Sequence, residues 1–373
     1  MIPVNEPLLP GNEENYVLDC LRTGWISSSG KYIDRFETEW AAHCGRKHGI
    51  AVCNGTVALE LAVSALDLPE GSEIILPSFT IVSCLEAVLR CGHRPVLADC
   101  DPETYCLDVE DARRRITPRT KAIMPVHIYG HPVDMAALLR LASEHDLRII
   151  EDAAEVHGAD CQVDGVWRRC GSFGDISTFS FYANKNITTG EGGMVLTDDE
   201  NLASKMRDRR TLCFGRKDRF RHEDRGWNFR MTNIQAALGC AQLEKIDAFV
   251  ARKREMALRY TEGLQGLPLQ LPVERPWART SVWMYAVVLP EQIPFDAVEF
   301  AHKLQEKGVQ TRPFFLGMHE QPIYLERGLI DQVELPVTER IARRGLYLPS
   351  GQAITDEQIQ KVIQTVKTVL AES

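Results

Sequence analysis

At 373 residues, with 44% hydrophobic and 25% charged positions, the chain has a globular composition and can bury two cores, or one large core with a small appendage. The net charge of −9 argues against nucleic-acid binding as its main business, and no run reaches the ~20 apolar residues of a membrane span. The start, Met1-Ile2-Pro3-Val4, has neither the basic nor the apolar region of a secretory signal, and the eleven cysteines include no Cys-x-x-Cys pair. Cys53, Cys84 and Cys240 sit in apolar runs as small buried hydrophobes, which points to a reducing cytoplasm and to no metal centre.

From about residue 49 short apolar runs alternate with helical patterns. Gly49–Cys53 reads as a strand and Thr56–Leu66 as a helix. Strand 73–76, helix Ile81–Cys91 and strand 95–98 follow. Lys121–Val126 and Leu147–Glu151 are further strands, with a helix over Met135–His145 between them, and Asp175–Phe181 and Met194–Thr197 are two more. Near-continuous apolar strands alternating with helices predict a mostly parallel sheet covered on both faces. Arg207–Arg225, rich in Arg and Lys, reads as a solvated mobile loop. A long helix is expected over Thr232–Gly263. Strand Val282–Leu289, helix Phe295–Lys307, strand Val309–Arg312 and a terminal helix from Asp356 come after it. The expected architecture is α/β: a large domain over residues 1–250 and a smaller C-terminal α/β domain over 251–373.

Three segments carry chemistry. Val52-Cys53-Asn54-Gly55-Thr56 runs from a strand through a small polar turn into a helix; free N–H groups there, with the Thr56 hydroxyl, suit an anion, and the same turn suits an ordinary helix cap. Asp152, in Ile149-Ile150-Glu151-Asp152-Ala153-Ala154-Glu155, stands where a buried strand ends, the place where open α/β sheets bind ligands. A carboxylate there holds a cationic ring nitrogen or a metal, or caps the next helix. Lys185 lies in a small, polar, glycine-rich turn between two apolar strands. A lysine in a partly dry pocket becomes a nucleophile toward aldehydes; on a surface loop it does nothing of the kind. Phosphate cradle, carboxylate and Schiff-base lysine, in that order, are what a protein contributes to pyridoxal-phosphate chemistry. No Gly-x-Gly-x-x-Gly turn follows a strand, which disfavours a nicotinamide dehydrogenase.

Seven segments in order make the resemblance specific: Gly24–Gly30 with Phe36-Glu37, Asn54-Gly55-Thr56, Pro125–Gly130, Glu151–Ala154, Ser180–Gly193, Gly226–Thr232, and Arg312-Pro313 with His319 and Pro322. The chain resembles the DegT/DnrJ/StrS family of sugar aminotransferases over nearly its whole length. The resemblance implies the three-layer, type I fold of pyridoxal-phosphate-dependent transferases and pyridoxal 5'-phosphate as cofactor. It implies that Lys185 bonds the cofactor, that Asp152 pairs with the pyridine nitrogen, and that Gly55, Thr56 and Ser180 hold the phosphate with Asn54 opening the turn. Asn228 would reach the phosphate from a second copy, making a homodimer with shared sites, and Glu155 would lie beside the ring.

Ile81 stands where many relatives carry an aromatic, so either Ile81 or Phe79 packs on the ring. Lysine at 185, where sugar 3-dehydratases of the family carry histidine, favours transamination. The segments 77–84, 151–155 and 184–193 look most like enzymes of the GDP-perosamine synthase type. That implies transfer from L-glutamate to C-4 of GDP-4-keto-6-deoxymannose. UDP- or dTDP-linked keto sugars aminated at C-4 or C-3, and a catalytically silent homologue, are the alternatives. Trp25, Ser28, Tyr32, Arg312, Phe315 and His319 are candidate substrate contacts, each with an equal reading as core or solvated surface.

Overall fold

The computed structural model describes residues 1–215 and 218–372. Two helices come first, α1 (Glu13–Thr23) and α2 (Lys31–His43). Then follow β1 (His48–Val52), α3 (Gly55–Ala65), β2 (Glu73–Pro77), α4 (Ser83–Arg90), β3 (Arg94–Ala98), α5 (Val109–Arg114), β4 (Thr120–Ile123), α6 (Met135–Glu144) and β5 (Arg148–Asp152). A hairpin, β6 (Asp160–Val163) and β7 (Val166–Arg169), precedes β8 (Ile176–Ser180), β9 (Gly193–Thr197) and α7 (Glu200–Arg210). Helices α8 (Asn233–Leu243) and α9 (Ile246–Leu264) lead to β10 (Ala278–Arg279), β11 (Tyr285–Val288), α10 (Ala297–Glu306), β12 (Arg312–Pro313), α11 (Pro322–Glu326), α12 (Pro336–Arg344), β13 (Gly345–Leu348) and α13 (Asp356–Ala371).

Seven strands form the main sheet in the order β1-β9-β8-β5-β4-β2-β3. All neighbours are parallel except those of β9, which runs against both β1 and β8. The carboxyl ends of β1, β5 and β8 therefore meet at one edge with the start of β9, where Gly193 pairs with both Val52 and Ser180. Three crossover strands end together because parallel strands joined by helices all point one way. A Cβ on Gly193 would collide with the Asn54 carbonyl, so only glycine lets the turn after β1 lie so close.

A second apolar cluster joins Met256, Tyr260 and Leu264 of α9 to α10, α13 and alternate residues of β11 and β13; Ile2 belongs to it through a parallel bridge to Val309. Tyr285 and Val287 of β11 face this cluster, while Ala286 and Val288 face the large one.

The long helix expected over Thr232–Gly263 is two. Thr232 and Gln235 make a reciprocal capping box that starts α8, and the chain leaves the helix at Glu244-Lys245. Nothing local breaks the run; the Glu244 carboxylate is claimed by Asn12, Tyr16 and Arg35. The helix expected from Ile81 begins at Ser83, leaving Thr80 and Ile81 outside it. Of strand 309–312, only Arg312 pairs regularly. Strand 282–289 shortens to Tyr285–Val288, since Val282 adopts a left-handed φ of 48°. The β6–β7 turn, Asp164-Gly165 with φ of 50° and 80°, carries the two-residue hairpin signature that sequence reading passed over. Arg207–Arg210 close α7, with Arg209 bridging Asp67 and Asp224; Arg216 and Lys217 of that basic segment lie outside the described residues.

Candidate active site

A cavity of about 480 Å³ opens at the shared edge, within the range typical of cofactor sites. At one end, β1 runs through Asn54 into α3. The Asn54 side chain accepts the Val57 N–H at 3.0 Å and is thereby the helix cap. Gly55 packs so closely on β8 that a Cβ would lie 2.7 Å from Ser180 Cβ. The Thr56 and Ser83 hydroxyls are 2.8 Å apart, and the Ser180 hydroxyl faces the same space. Three hydroxyls gathered at a helix start form a cradle for an oxyanion. Ser83 escaped sequence reading because it was placed inside a helix, where its hydroxyl had no assigned task.

Asp152, the last residue of β5, is buried. Its Oδ1 accepts the Ala154 N–H at 3.1 Å and its Oδ2 accepts the Cys84 thiol at 3.2 Å. Burial raises its pKa, against the opposing effect of those two donors and of the Lys185 charge. Cys84 was read only as a hydrophobe.

Lys185 follows the Tyr182 carbonyl in a tight turn, its N–H donating to that oxygen at 2.9 Å. Its side chain is nearly buried, with Nζ 3.5 Å from Glu155 Oε1 and 3.6 Å from the centroid of the Trp283 ring. Burial lowers the amine's pKa, and Glu155 and Asp152 oppose that shift. Glu155 Oε2 accepts the Tyr129 N–H at 2.8 Å; burial pushes the Glu155 carboxyl up to about 7 despite the nearby lysine. A lowered pKa raises the share of the neutral amine, the form that acts as nucleophile and base.

On the other side of β5, Glu151 is wholly buried and accepts hydrogen bonds from His127 Nε2, the N–H groups of Gly171, Phe173 and Gly174, and the Ser177 hydroxyl. His127 Nδ1 accepts the Val133 N–H, which leaves Nε2 to donate. Burial raises the Glu151 pKa, but His127, Arg46 and the Gly171 N–H outweigh it and hold the carboxylate at about 2. Glu151 thus fixes the 171–174 loop behind the site.

Among the sequence candidates, Asn54, Gly55, Thr56, Ile81, Asp152, Glu155, Ser180, Lys185, Arg312 and Phe315 line the cavity. Ile81 is 47% exposed there, whereas Phe79 is buried against Phe314 and Phe315 and supports the wall from behind. Trp25, Ser28, Tyr32, Asn228 and His319 do not line it. Tyr32 is buried beside Tyr16, because α2 packs its apolar face on α8. His319 is spent between Ser78 and Glu339. Trp25 is exposed with its carbonyl held by Asn233, and exposed Asn228 accepts from Arg230 Nε. Trp283, Tyr347, Tyr182 and Asn184 also line the cavity. Trp283 and Tyr347 come from segments with no motif of their own; Tyr182 and Asn184 lie within the Ser180–Gly193 motif, whose sequence signal points to Ser180 and Lys185 alone.

The model of the DegT/DnrJ/EryC1/StrS aminotransferase family matches residues 8–367. The chain belongs to that family. It is 43% identical to the GDP-perosamine synthase of Caulobacter vibrioides over 99% of this chain and 98% of the relative. To the GDP-perosamine synthase of Vibrio cholerae it is 41% identical over 98% of each. The crystal structure of aminotransferase TlmJ from Streptoalloteichus hindustanus superposes with a TM-score of 0.91 at 31% identity, covering 100% of this chain and 99% of that one. The fold is that of the pyridoxal-phosphate-dependent sugar aminotransferases, and the chain is an enzyme of that kind with pyridoxal 5'-phosphate as its cofactor. The residues present fit the group: a hydroxyl cradle that a Cβ at Gly55 would fill, a buried carboxylate, and a nearly buried lysine in one cavity.

Proposed function

We propose that the enzyme moves an amino group from L-glutamate to C-4 of GDP-4-keto-6-deoxymannose. The observation that carries this reading is full-length identity of 40–43% to three GDP-perosamine synthases, combined with a lysine at 185 inside the cavity. When bound, pyridoxal phosphate supplies an electrophilic carbonyl carbon and a ring that accepts the electron pair left on a deprotonated carbon.

The chain's residues supply the rest. Gly55, Thr56, Ser83, Ser180 and the start of α3 hold the phosphate. Asp152 would keep the ring nitrogen protonated, and its burial would make that pairing strong. Lys185 would anchor the cofactor's carbonyl carbon and, with its amine free, would be the base that moves the proton at the donor's α-carbon. Its lowered pKa leaves it free to act as base. Glu155 stands beside that amine. Because donor and acceptor use one cavity in turn, the kinetics are ping-pong.

Two copies of the chain are proposed to share their sites, with Asn228 reaching a phosphate across a two-fold interface. Exposed Leu9, Leu21, Trp25 and Ile26 support an apolar contact surface of that kind. The division at residue 250 is supported by the second cluster, whose buried residues other than Ile2 all come from Met256 onward. A cytoplasmic location is supported by eleven unpaired cysteines; among the described residues no helix is long and apolar enough to cross a membrane.

Mass spectrometry of reactions with L-glutamate and a panel of GDP-, dTDP- and UDP-linked 4-keto-6-deoxysugars tests the reading. An aminated product from the GDP sugar alone is expected. Product from a dTDP or UDP sugar instead overturns the nucleotide assignment and leaves the transamination chemistry standing.

A further inference from the structure

Trp283 grips the catalytic turn at two points. Its indole Nε1 donates to the carbonyl of Asn184, the residue immediately before the lysine, at 2.7 Å, and its ring face lies 3.6 Å from Lys185 Nζ. The indole is itself held firmly. It is buried at 4% exposure, its carbonyl accepts from the buried Lys253 Nζ at 2.8 Å, and its ring lies against Tyr129 at 6.1 Å between centroids. Glycine is required at 130 for this approach, since a Cβ there would meet Trp283 N at 2.5 Å. The Lys185 amine therefore has an aromatic face on one side and the Glu155 carboxylate, 3.5 Å away, on another. In a desolvated pocket an indole face attracts an ammonium and offers nothing comparable to a neutral amine.

We propose that Trp283 is a positioning residue for the Lys185 amine: its indole face and the Glu155 carboxylate form the resting place that the protonated amine occupies whenever it is not joined to a carbonyl carbon. The lysine must let go of the cofactor in each half-reaction, hold a proton, and return it to the correct carbon. A fixed resting place keeps the ammonium within reach of both and out of solvent. The inference rests on Lys185 being the cofactor's lysine and is independent of which sugar accepts the nitrogen.

The other titratable groups that bear on the amine are Asp152, Cys84 and His157, with Arg312, Tyr347 and Glu191 on the cavity wall. Each is unchanged by substitution at 283, so a shift between variants reports the indole.

The test uses the enzyme loaded with pyridoxamine phosphate, in which Lys185 is free. Competitive acetylation with acetic anhydride across pH, with the modified lysine mapped by mass spectrometry, gives the pH at which its amine titrates. Trp283→Leu, which removes face and donor, is expected to lower that midpoint by about one pH unit. Trp283→Phe, which keeps a weaker face, is expected to lower it less. With the enzyme loaded instead with pyridoxal phosphate, the single-turnover rate with L-glutamate should fall in the same order, by about threefold to thirtyfold.

An unchanged midpoint in Trp283→Leu, or equal shifts in the two variants, overturns the proposal; if Trp283→Leu fails to fold, a midpoint equal to wild type in Trp283→Phe does so alone. Failure of the underlying reading shows in the wild type, as borohydride reduction of the protein loaded with pyridoxal phosphate marking a lysine other than 185.

Discussion

Glu151 and Asp152 are neighbours on one strand, both buried, and they point to opposite faces of the sheet. Behind the sheet, Glu151 is surrounded by five donors that pull its pKa down to about 2 in spite of burial. In front, Asp152 has two donors, one of them a thiol, and its pKa is raised. A carboxylate whose lone pairs are all taken is finished as structure. One buried with acceptor capacity to spare, facing a cavity, is waiting for a cation from outside the chain. Buried Lys253 and nearly buried Lys185 differ in the same way. Lys253 donates to the carbonyls of Trp283 and Ser350, whereas Lys185, among the described residues, has a carboxylate 3.5 Å away and a ring face.

The strongest challenge to this division is Lys185→Ala in front. Transamination should fall by about 10⁴-fold or more, and borohydride should no longer fix the cofactor to the protein, while the far-UV spectrum stays that of a folded chain. A reducible link surviving in this variant removes Lys185 from its role.

The two carboxylates can then be set directly against each other. Asp152→Asn should lower kcat by about 10²-fold or more yet leave the unfolding free energy within about 1 kcal/mol. Glu151→Gln should cost about 3 kcal/mol in a urea titration, with turnover per folded molecule little changed. If the two outcomes were exchanged, the contrast between finished and waiting charges would be wrong.

Acid sensitivity sharpens the contrast from the rear. His157 accepts the Ile187 N–H of the lysine turn through Nδ1 and packs on Trp40 and Phe179. Burial lowers its pKa to about 3, with the Lys185 charge adding to the effect. A base whose folded pKa lies below its unfolded value of about 6.5 takes up its proton first in the unfolded chain. Stability is therefore lost as pH falls below about 6.5 toward 3, at up to about 1.4 kcal/mol per pH unit from this residue. Half-buried His43 and buried His131, both lowered to about 4, act in the same direction. His157→Gln should flatten the slope of unfolding free energy between pH 6 and pH 4, as read by chemical denaturation; a slope unchanged from wild type would show that His157 is not the group responsible.

Gly55→Ala tests the cradle. Its Cβ would sit 2.7 Å from Ser180 Cβ, so α3 must move off β8. The dissociation constant for pyridoxal phosphate, measured by absorbance titration, should rise about tenfold with little change in melting temperature. The smallest effect belongs to Asn54→Ala, which removes the α3 cap and should cost about 1 kcal/mol of stability. A loss of cofactor affinity as large as that of Gly55→Ala would instead make Asn54 a ligand contact.

Chain order alone made the sheet legible, because apolar runs of strand length alternating with helical patterns admit few arrangements. It also pointed to Gly55, Asp152, Ser180 and Lys185, since Asp152 and Ser180 end strands, Gly55 and Lys185 follow strands within five residues, and a motif marks each. What had no local mark was invisible. The break at Glu244-Lys245 has no glycine or proline, and comes where Glu244 is held by side chains from α1, from α2 and from Asn12 just before α1. The Cys84 thiol beside Asp152, the Ser83 hydroxyl beside Thr56 and the indole over Lys185 all depend on side chains from distant segments meeting at one edge. Tyr32 and His319 went the other way. Their residue types suited substrate contact, and packing used them elsewhere. Sequence by itself determined which residues end the strands and hence where the site lies, because strand direction is set by short-range pattern. Only the tertiary structure decided which neighbours complete each charge, because burial and hydrogen-bond supply are properties of what packs around a residue.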